Sequence, residues 1–245
     1  MKSSWWKRVQ LVLGLLLVVA TLRVALIFYE RSQPIATRKP PERESSYKIT
    51  GDDYVTPPKV FPYNLKSANK ELSGKIVWVR AGNQLSYYPY SAATRHVTLG
   101  HEAGLLAPLE KLEIKEFVLQ NSPRSPKQKQ IMMIFDRVGD RVPYGTPAGI
   151  EEEGNYTFYV NDALFLKDPH ELYKHWPSEM WNAIDHHQAQ PGMNELQVGF
   201  ALGTSAAAGP GDIGNRRMAY TNAGKPITVT FSDNKAVKVE QGTGQ

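Results

Sequence analysis

The chain contains no cysteine among its 245 residues. That absence excludes disulfides, thiolate metal sites, cysteine nucleophiles and the lipidated cysteine of a bacterial lipoprotein. There is no Gly-x-Ser-x-Gly elbow and no phosphate-binding P-loop, so two common catalytic signatures are missing. No internal repeat is present, which excludes solenoids and propellers. Charge of one sign is not concentrated either. The net charge is +5, from 29 Lys and Arg against 24 Asp and Glu, and the excess is spread along the chain. Nucleic acid is therefore not an expected partner. What remains, at 41% hydrophobic and 22% charged residues, is ordinary globular material of one- or two-domain length.

Long apolar runs are confined to the N-terminus. Lys2, Lys7 and Arg8 precede an apolar stretch from Val9 to Leu22, which continues past Arg23 to Tyr29. That length matches a transmembrane helix, with Trp5, Trp6 and Tyr29 at the interfaces and Arg23 near enough to one end to reach water. Residues 1–30 are accordingly expected to be an uncleaved signal anchor, in preference to a signal peptide cleaved after Val18-Val19-Ala20. The short basic head places the N-terminus inside and the bulk of the chain outside: a single-pass protein of a bacterial inner membrane with its C-terminal part in the periplasm.

Residues 31–73 carry Pro34, Pro40, Pro41, Pro57, Pro58 and Pro62 and show no amphipathic period. This composition predicts an extended spacer. From Gly74 the texture changes. Lys75–Arg80, Leu85–Tyr90, Leu112–Leu119, Ile131–Phe135, Val142–Tyr144 and Tyr156–Val160 are short β-rich runs separated by Gly, Pro and Asn turns. Residues 74–167 are expected to form a small all-β barrel or roll, SH3-like in one form.

Residues 168–241 change period again. Asp168-Pro169 opens a short helix to His175, ended by Pro177. Ser178 caps a second helix to about His187, with Met180, Trp181 and Ile184 on one face. Pro191-Gly192 breaks the chain. Asn194 then caps a third helix with Gln197 in capping-box position and Met193 and Val198 as its staple; Gly203 supplies the left-handed stop. Ala206–Gly214 is small and flexible in composition. Strands follow at Arg217–Thr221, Ile227–Phe231 and Val237–Val239. The expected fold class is α+β, with helices packed on a three-stranded antiparallel meander.

Gly192-Met193-Asn194-Glu195-Leu196-Gln197-Val198, closed by Leu202-Gly203, resembles the signature of the SmpA/OmlA (BamE-like) outer-membrane assembly domain. The Tyr220 strand and Thr228–Lys235 are similar to that family's closing hairpin. The resemblance covers the C-terminal third only. It implies a helix-on-hairpin module whose defining residues are Gly192, Met193, Asn194, Gln197 and Gly203, used for contacts with envelope proteins or lipid headgroups.

Candidate chemistry is sparse. His170-Glu171 with His175 falls short of a zinc helix: the histidines are five residues apart, about 140° around a helix. Asp185-His186-His187 offers an acid–base group for an envelope hydrolase, but adjacent helical residues diverge, and helix capping explains them better. Gly209-Pro210-Gly211-Asp212-Ile213-Gly214 fits the dinucleotide fingerprint in letters only, since a strand, not a helix, follows it. Binding residues are sought instead in Tyr87, Tyr88 and Tyr90, an aromatic platform, and in Arg216, Arg217 and Tyr220, where two guanidiniums could hold phosphate or lipid headgroups. No catalytic residue, metal or cofactor is expected. The leading reading is a membrane-anchored, non-catalytic interaction module; an envelope hydrolase and a structural spacer are the alternatives.

Overall fold

The computed structural model describes residues 6, 14, 16–18, 21–29, 49–123, 125–140 and 142–242. The chain divides into two units, Met1–Ser45 and Ser46–Gln245. In the first, residues 21–29 are helical, with Leu22, Val24, Leu26, Ile27 and Phe28 exposed. The Thr21 hydroxyl donates back to the carbonyls of Leu17 (3.0 Å) and Val18 (2.9 Å), as helical threonines do. No helix among the described residues is long and apolar enough to cross a membrane. Much of the expected anchor, and the expected spacer as far as residue 48, lie outside the described residues.

The second unit is mixed α+β. The later part of the stretch expected to be a spacer belongs to this fold. A 3-10 turn at Gly51–Tyr54 leads into an extended segment and then helix α1, Leu65–Leu72. Asn64 caps α1 by accepting from the Ser67 amide at 2.8 Å, and Ser67 answers by accepting from the Asn64 amide at 3.1 Å. Ala68 and Leu72 are fully buried. The surrounding prolines masked this helix, whose apolar face is only two turns long.

Strands β1 (Ile76–Val79), β2 (Ser86–Ser91), β3 (His96–Val97), β4 (Gly104–Leu105), β5 (Lys111–Asn121), β6 (Gln128–Arg137), β7 (Pro143–Glu152) and β8 (Asn155–Phe158) follow. A helical turn α2 (Val160–Ala163) then delivers β9 (Leu164–Phe165). They form one antiparallel nine-stranded sheet in the order β3-β2-β7-β6-β5-β1-β9, with β4 also on β2 and β8 also on β7. This is larger than a small SH3-like barrel, and β3, β4 and β9 are additions to the expected strands. Bulges at Lys115 in β5 and Ala148 in β7 bend the long strands. Ile131, Met133 and Phe135 of β6 enter one core with Leu112, Ile114 and Phe117, while Met132 and Ile134 enter a second with Val97 and Val118. That two-sided burial explains the unbroken apolar run at 131–135.

β7 was legible only at its start, because Gly145, Pro147 and Gly149 read as loop. The glycines are steric requirements. A Cβ on Gly145 would stand 2.4 Å from Val97 Cγ2, and one on Gly149 would stand 2.2 Å from the Thr157 carbonyl oxygen. Backbone groups outside the strand pairings are satisfied by side-chain amides. Asn69 Oδ1 accepts from the Phe117 amide (2.7 Å) and its Nδ2 donates to the Phe117 carbonyl (3.1 Å). Asn161 treats Val60 in the same way, at 3.0 and 2.6 Å, and Gln120 treats Val97 at 3.1 and 3.4 Å.

Helices α3 (Pro169–Leu172), α4 (Ser178–Asp185) and α5 (Glu195–Leu202) precede a second sheet, β10 (Ser205–Ala207), β11 (Arg217–Tyr220), β12 (Ile227–Ser232) and β13 (Lys235–Gln241). The meander is therefore four-stranded, not three-stranded: β10 arises from an alanine-rich stretch that gives no alternation signal, and pairs with β11. Pro177, not Ser178, is the N-cap of α4. The Asn194–Gln197 capping box is present, and Met193 and Val198 are fully buried. Gly203 ends α5 at φ 85°, but its ψ of −149° lies outside the left-handed helical region. Asp233 and Asn234, both at positive φ, make the tight β12–β13 turn. Trp176, Trp181, Tyr173 and Phe200 pack ring on ring with Met193, Leu202, Tyr220 and Phe231. Phe165 of β9 joins them and Trp78 of β1 packs against them, so this core continues onto the edge of the large sheet.

Candidate functional site

A dense set of polar side chains lies where the 3-10 turn meets the start of α5. Asp52 is the centre of it, its side chain only 10% exposed. Oδ1 accepts from Trp176 Nε1 at 2.6 Å and pairs with His175 Nε2 at 2.7 Å. Oδ2 accepts from Asn194 Nδ2 at 2.6 Å. A carboxylate so placed is stabilised only if it is hydrogen-bonded, and these three partners engage both of its oxygens. Asn194 is engaged at both ends of its carboxamide: its Oδ1 caps α5 by accepting from the Gln197 amide at 2.8 Å. The sequence order that makes the capping box thus also fixes the amide that reaches Asp52.

One residue on, Glu195 holds the loop between β10 and β11. Its Oε1 accepts from the Gly214 amide at 2.7 Å. Arg216 grips both carboxylate oxygens, Nε at 3.1 Å from each and Nη2 at 2.7 Å from Oε2. This fork geometry is the strong form of the pair, and hydrogen bonding to Glu195 holds the Arg216 guanidinium above its ordinary pKa. Asn234 donates its amide to the Gly214 carbonyl at 2.9 Å, and Phe231 donates to the Arg216 carbonyl at 2.8 Å. The stretch expected to be flexible is therefore tied down at Gly214 and Arg216. A cleft of about 390 Å³ opens between these elements, lined by Asp52, Asp53, Asn194, Glu195, Leu196, Ile213, Arg216 and Asn234. Leu196 (37%) and Ile213 (57%) stand exposed there beside the polar groups.

The other expected binding residues are dispersed. Tyr87 is buried edge-on against Tyr144, ring centroids 4.9 Å apart, with the Arg137 guanidinium 5.5 Å from its own ring. Tyr90 donates to Glu116 Oε1 at 2.8 Å; Arg95 pairs with the other oxygen, and burial raises the phenol's pKa. Tyr88 lines an open groove of about 540 Å³. A continuous aromatic platform is not formed, because alternate residues of β2 face opposite sides of the sheet. Arg217 is exposed, 3.8 Å from Glu240. Tyr220 is buried and its pKa is pushed up to about 12, chiefly by that burial. Of the module-defining residues, Gly192 occupies the φ 92° turn before α5, and its amide donates to the Ala236 carbonyl at 2.9 Å.

The hydrolase candidates diverge. Asp185 meets His170 Nε2 at 3.2 Å, His186 Nδ1 contacts the Asn182 carbonyl at 2.7 Å, and His187 Nδ1 contacts the Ala201 carbonyl at 3.2 Å. His170 stacks on Trp181 at 4.0 Å and also meets Asp168, while His175 turns away to Asp52. Among the described residues no group of three or more His, Asp or Glu side chains is placed to hold a metal ion. Asp52 escaped the sequence reading altogether, since its partners lie 123 to 142 residues away. The available signal was weak: an acidic pair, Asp52-Asp53, preceding a proline-rich stretch.

Comparison of the chain with known protein families, curated proteins and solved structures finds no significant match.

Proposed function

We propose that this chain is a non-catalytic interaction protein of a bacterial envelope. In this reading residues 9–29 tether it to the inner membrane, and the cleft at the start of α5 receives a partner protein in the periplasm. The observation that supports this most directly is the pairing of exposed Leu196 and Ile213 with a polar surface held rigid by the Asp52 and Glu195–Arg216 networks. Exposed apolar groups on a preorganised frame lose little conformational entropy on binding. The capped turn from Gly192 to Gln197 supports the SmpA/OmlA-like reading of residues 168–241, and that family's envelope role supports a partner in outer-membrane or cell-wall assembly. A lipid headgroup is a poorer fit, because Arg216, the cation in the cleft, is already forked onto Glu195. A hydrolytic reading through Asp185, His186 and His187 has no comparable support, since the three serve different partners.

The test is site-specific photo-cross-linking in intact cells, with the photoreactive residue at position 196 or 213 and, as control, at exposed Val237 on β13. Discrete adducts from 196 and 213 but not from 237 are expected. Adducts at all three positions alike, or at none, would remove the cleft as the binding surface.

A further inference from the structure

A second groove, of about 540 Å³, lies on the large sheet between β2 and the α2 turn. Tyr88 and Tyr159 contribute rings, Leu85 and Pro147 apolar surface, and Gln84 and Asp162 polar groups. Its walls are fixed. Thr146 Oγ1 donates to the Ser86 carbonyl at 2.9 Å, across to β2. The Tyr159 amide donates to the Ala148 carbonyl at 2.8 Å, and the Asp162 amide to the Tyr159 carbonyl at 3.1 Å. Gln84 Oε1 accepts from Thr204 Oγ1 at 3.2 Å, which orients that amide.

The charge distribution is lopsided. Asp162 is the sole carboxylate on the groove, and no lysine, arginine or histidine lines it. Its side chain makes no ion pair or hydrogen bond among the described residues. Among the described residues this exposed carboxylate has no ion-pair partner, and two tyrosine rings line the same groove. Ring faces attract cations through their quadrupole, and a carboxylate adds direct Coulombic attraction and hydrogen-bond acceptance. A neutral ligand would use the apolar surface but gain nothing from the carboxylate.

We propose that this groove binds the ammonium end of a lysine side chain presented by a partner polypeptide. The methylene stem packs along Leu85 and Pro147, the ammonium sits between the tyrosine rings, and Asp162 supplies the counter-charge. The site shares no lining residue with the α5 cleft, so it stands or falls independently of the function proposed above.

The test uses the full chain in detergent micelles, titrated with Nα-acetyl-lysine methylamide and followed by amide NMR shifts at residues 84–88 and 159–163. The uncharged norleucine counterpart is the control. Saturating shifts with the lysine probe, on the order of 1–10 mM, and none with norleucine are expected. Asp162→Asn should weaken binding about three- to tenfold, and Tyr159→Leu about two- to fivefold, while Tyr159→Phe should bind as the wild type does. Unchanged shifts elsewhere in each variant's spectrum confirm that it is folded. Equal binding of norleucine, retention of full affinity in Asp162→Asn, or saturation by N-acetylglucosamine without response to the lysine probe would each overturn the proposal.

Discussion

Substituting Gly203 by alanine tests how the two sheets are joined. Gly203 lies at φ 85° and ψ −149°, a region essentially restricted to glycine, where another residue costs roughly 1–3 kcal/mol. The added Cβ would stand 2.2 Å from the Gly82 carbonyl oxygen and 2.8 Å from its carbon. Gly82 cannot retreat, because its own Cα already faces Pro108: a Cβ there would be 2.3 Å from Pro108 Cα. The backbone at 203 must therefore move, which strains the Thr204 amide donation to the Gly82 carbonyl (3.1 Å) and the Asn83 Nδ2 donation to the Leu202 carbonyl (2.9 Å). One lost hydrogen bond adds about 0.5–1.5 kcal/mol. The sum, about 2–4 kcal/mol, is a large part of the roughly 5–15 kcal/mol available to a domain. In urea, with a slope of about 1–3 kcal/mol per molar, the midpoint should fall by roughly 1 M or more. Gly199→Ala is the matched control. It lies inside α5 with nothing near its added Cβ, and should gain about 0.5–1 kcal/mol from helix propensity. A Gly203→Ala midpoint within about 0.2 M of the wild type would refute the steric argument.

Asp52→Ala should cost about 1–3 kcal/mol by leaving the indole of Trp176 and the amide of Asn194 without their acceptor; a lowered Tm with altered tryptophan fluorescence checks it, and an unchanged Tm counts against the node. Tyr220 favours its protonated form when folded, with its pKa pushed from 10.0 to about 12. Its contribution is complete below pH 10 and is lost as pH rises from 10 through 12, so Tyr220→Phe should flatten that part of the alkaline stability profile relative to the wild type. Glu195→Gln should free the loop held at Gly214 and Arg216 and accelerate tryptic cleavage after Arg216 or Arg217 about tenfold, read by mass spectrometry.

The parts of the fold that were legible in sequence are those stabilised locally. The α5 capping box and the β12 strand depend on residues within a few positions of one another. What was hidden depends on distant contacts. Gly145 and Gly149 look like loop residues until Val97 and Thr157 are brought against them. α1 is short and sits among prolines, so its two-turn apolar face was too weak a signal beside them. β10 is a strand because β11 pairs with it, not because its alanines favour one. The same division holds for the sites. Arg216 and Tyr88 are recognisable as chemistry in sequence, but Glu195, the residue that engages Arg216, stands out only as part of the Gly192–Val198 motif. Asp52 has only the weak local signature of an acidic pair, since every group that gives it meaning lies 123 to 142 residues further along the chain.

The carboxamides of Asn69, Asn161 and Gln120 each pair with both backbone groups of one residue, as a neighbouring peptide unit would. Each is a counterfeit strand one residue long. A true strand would present a further row of donors and acceptors on its outer side, and so invite the next strand. A side chain has no outer side to offer, so the ladder ends at Phe117 and Val97. For an open nine-stranded sheet this matters most when copies crowd together. At Phe117 a second molecule finds the hydrogen-bonding positions already taken, and association there must use side-chain surfaces instead of backbone.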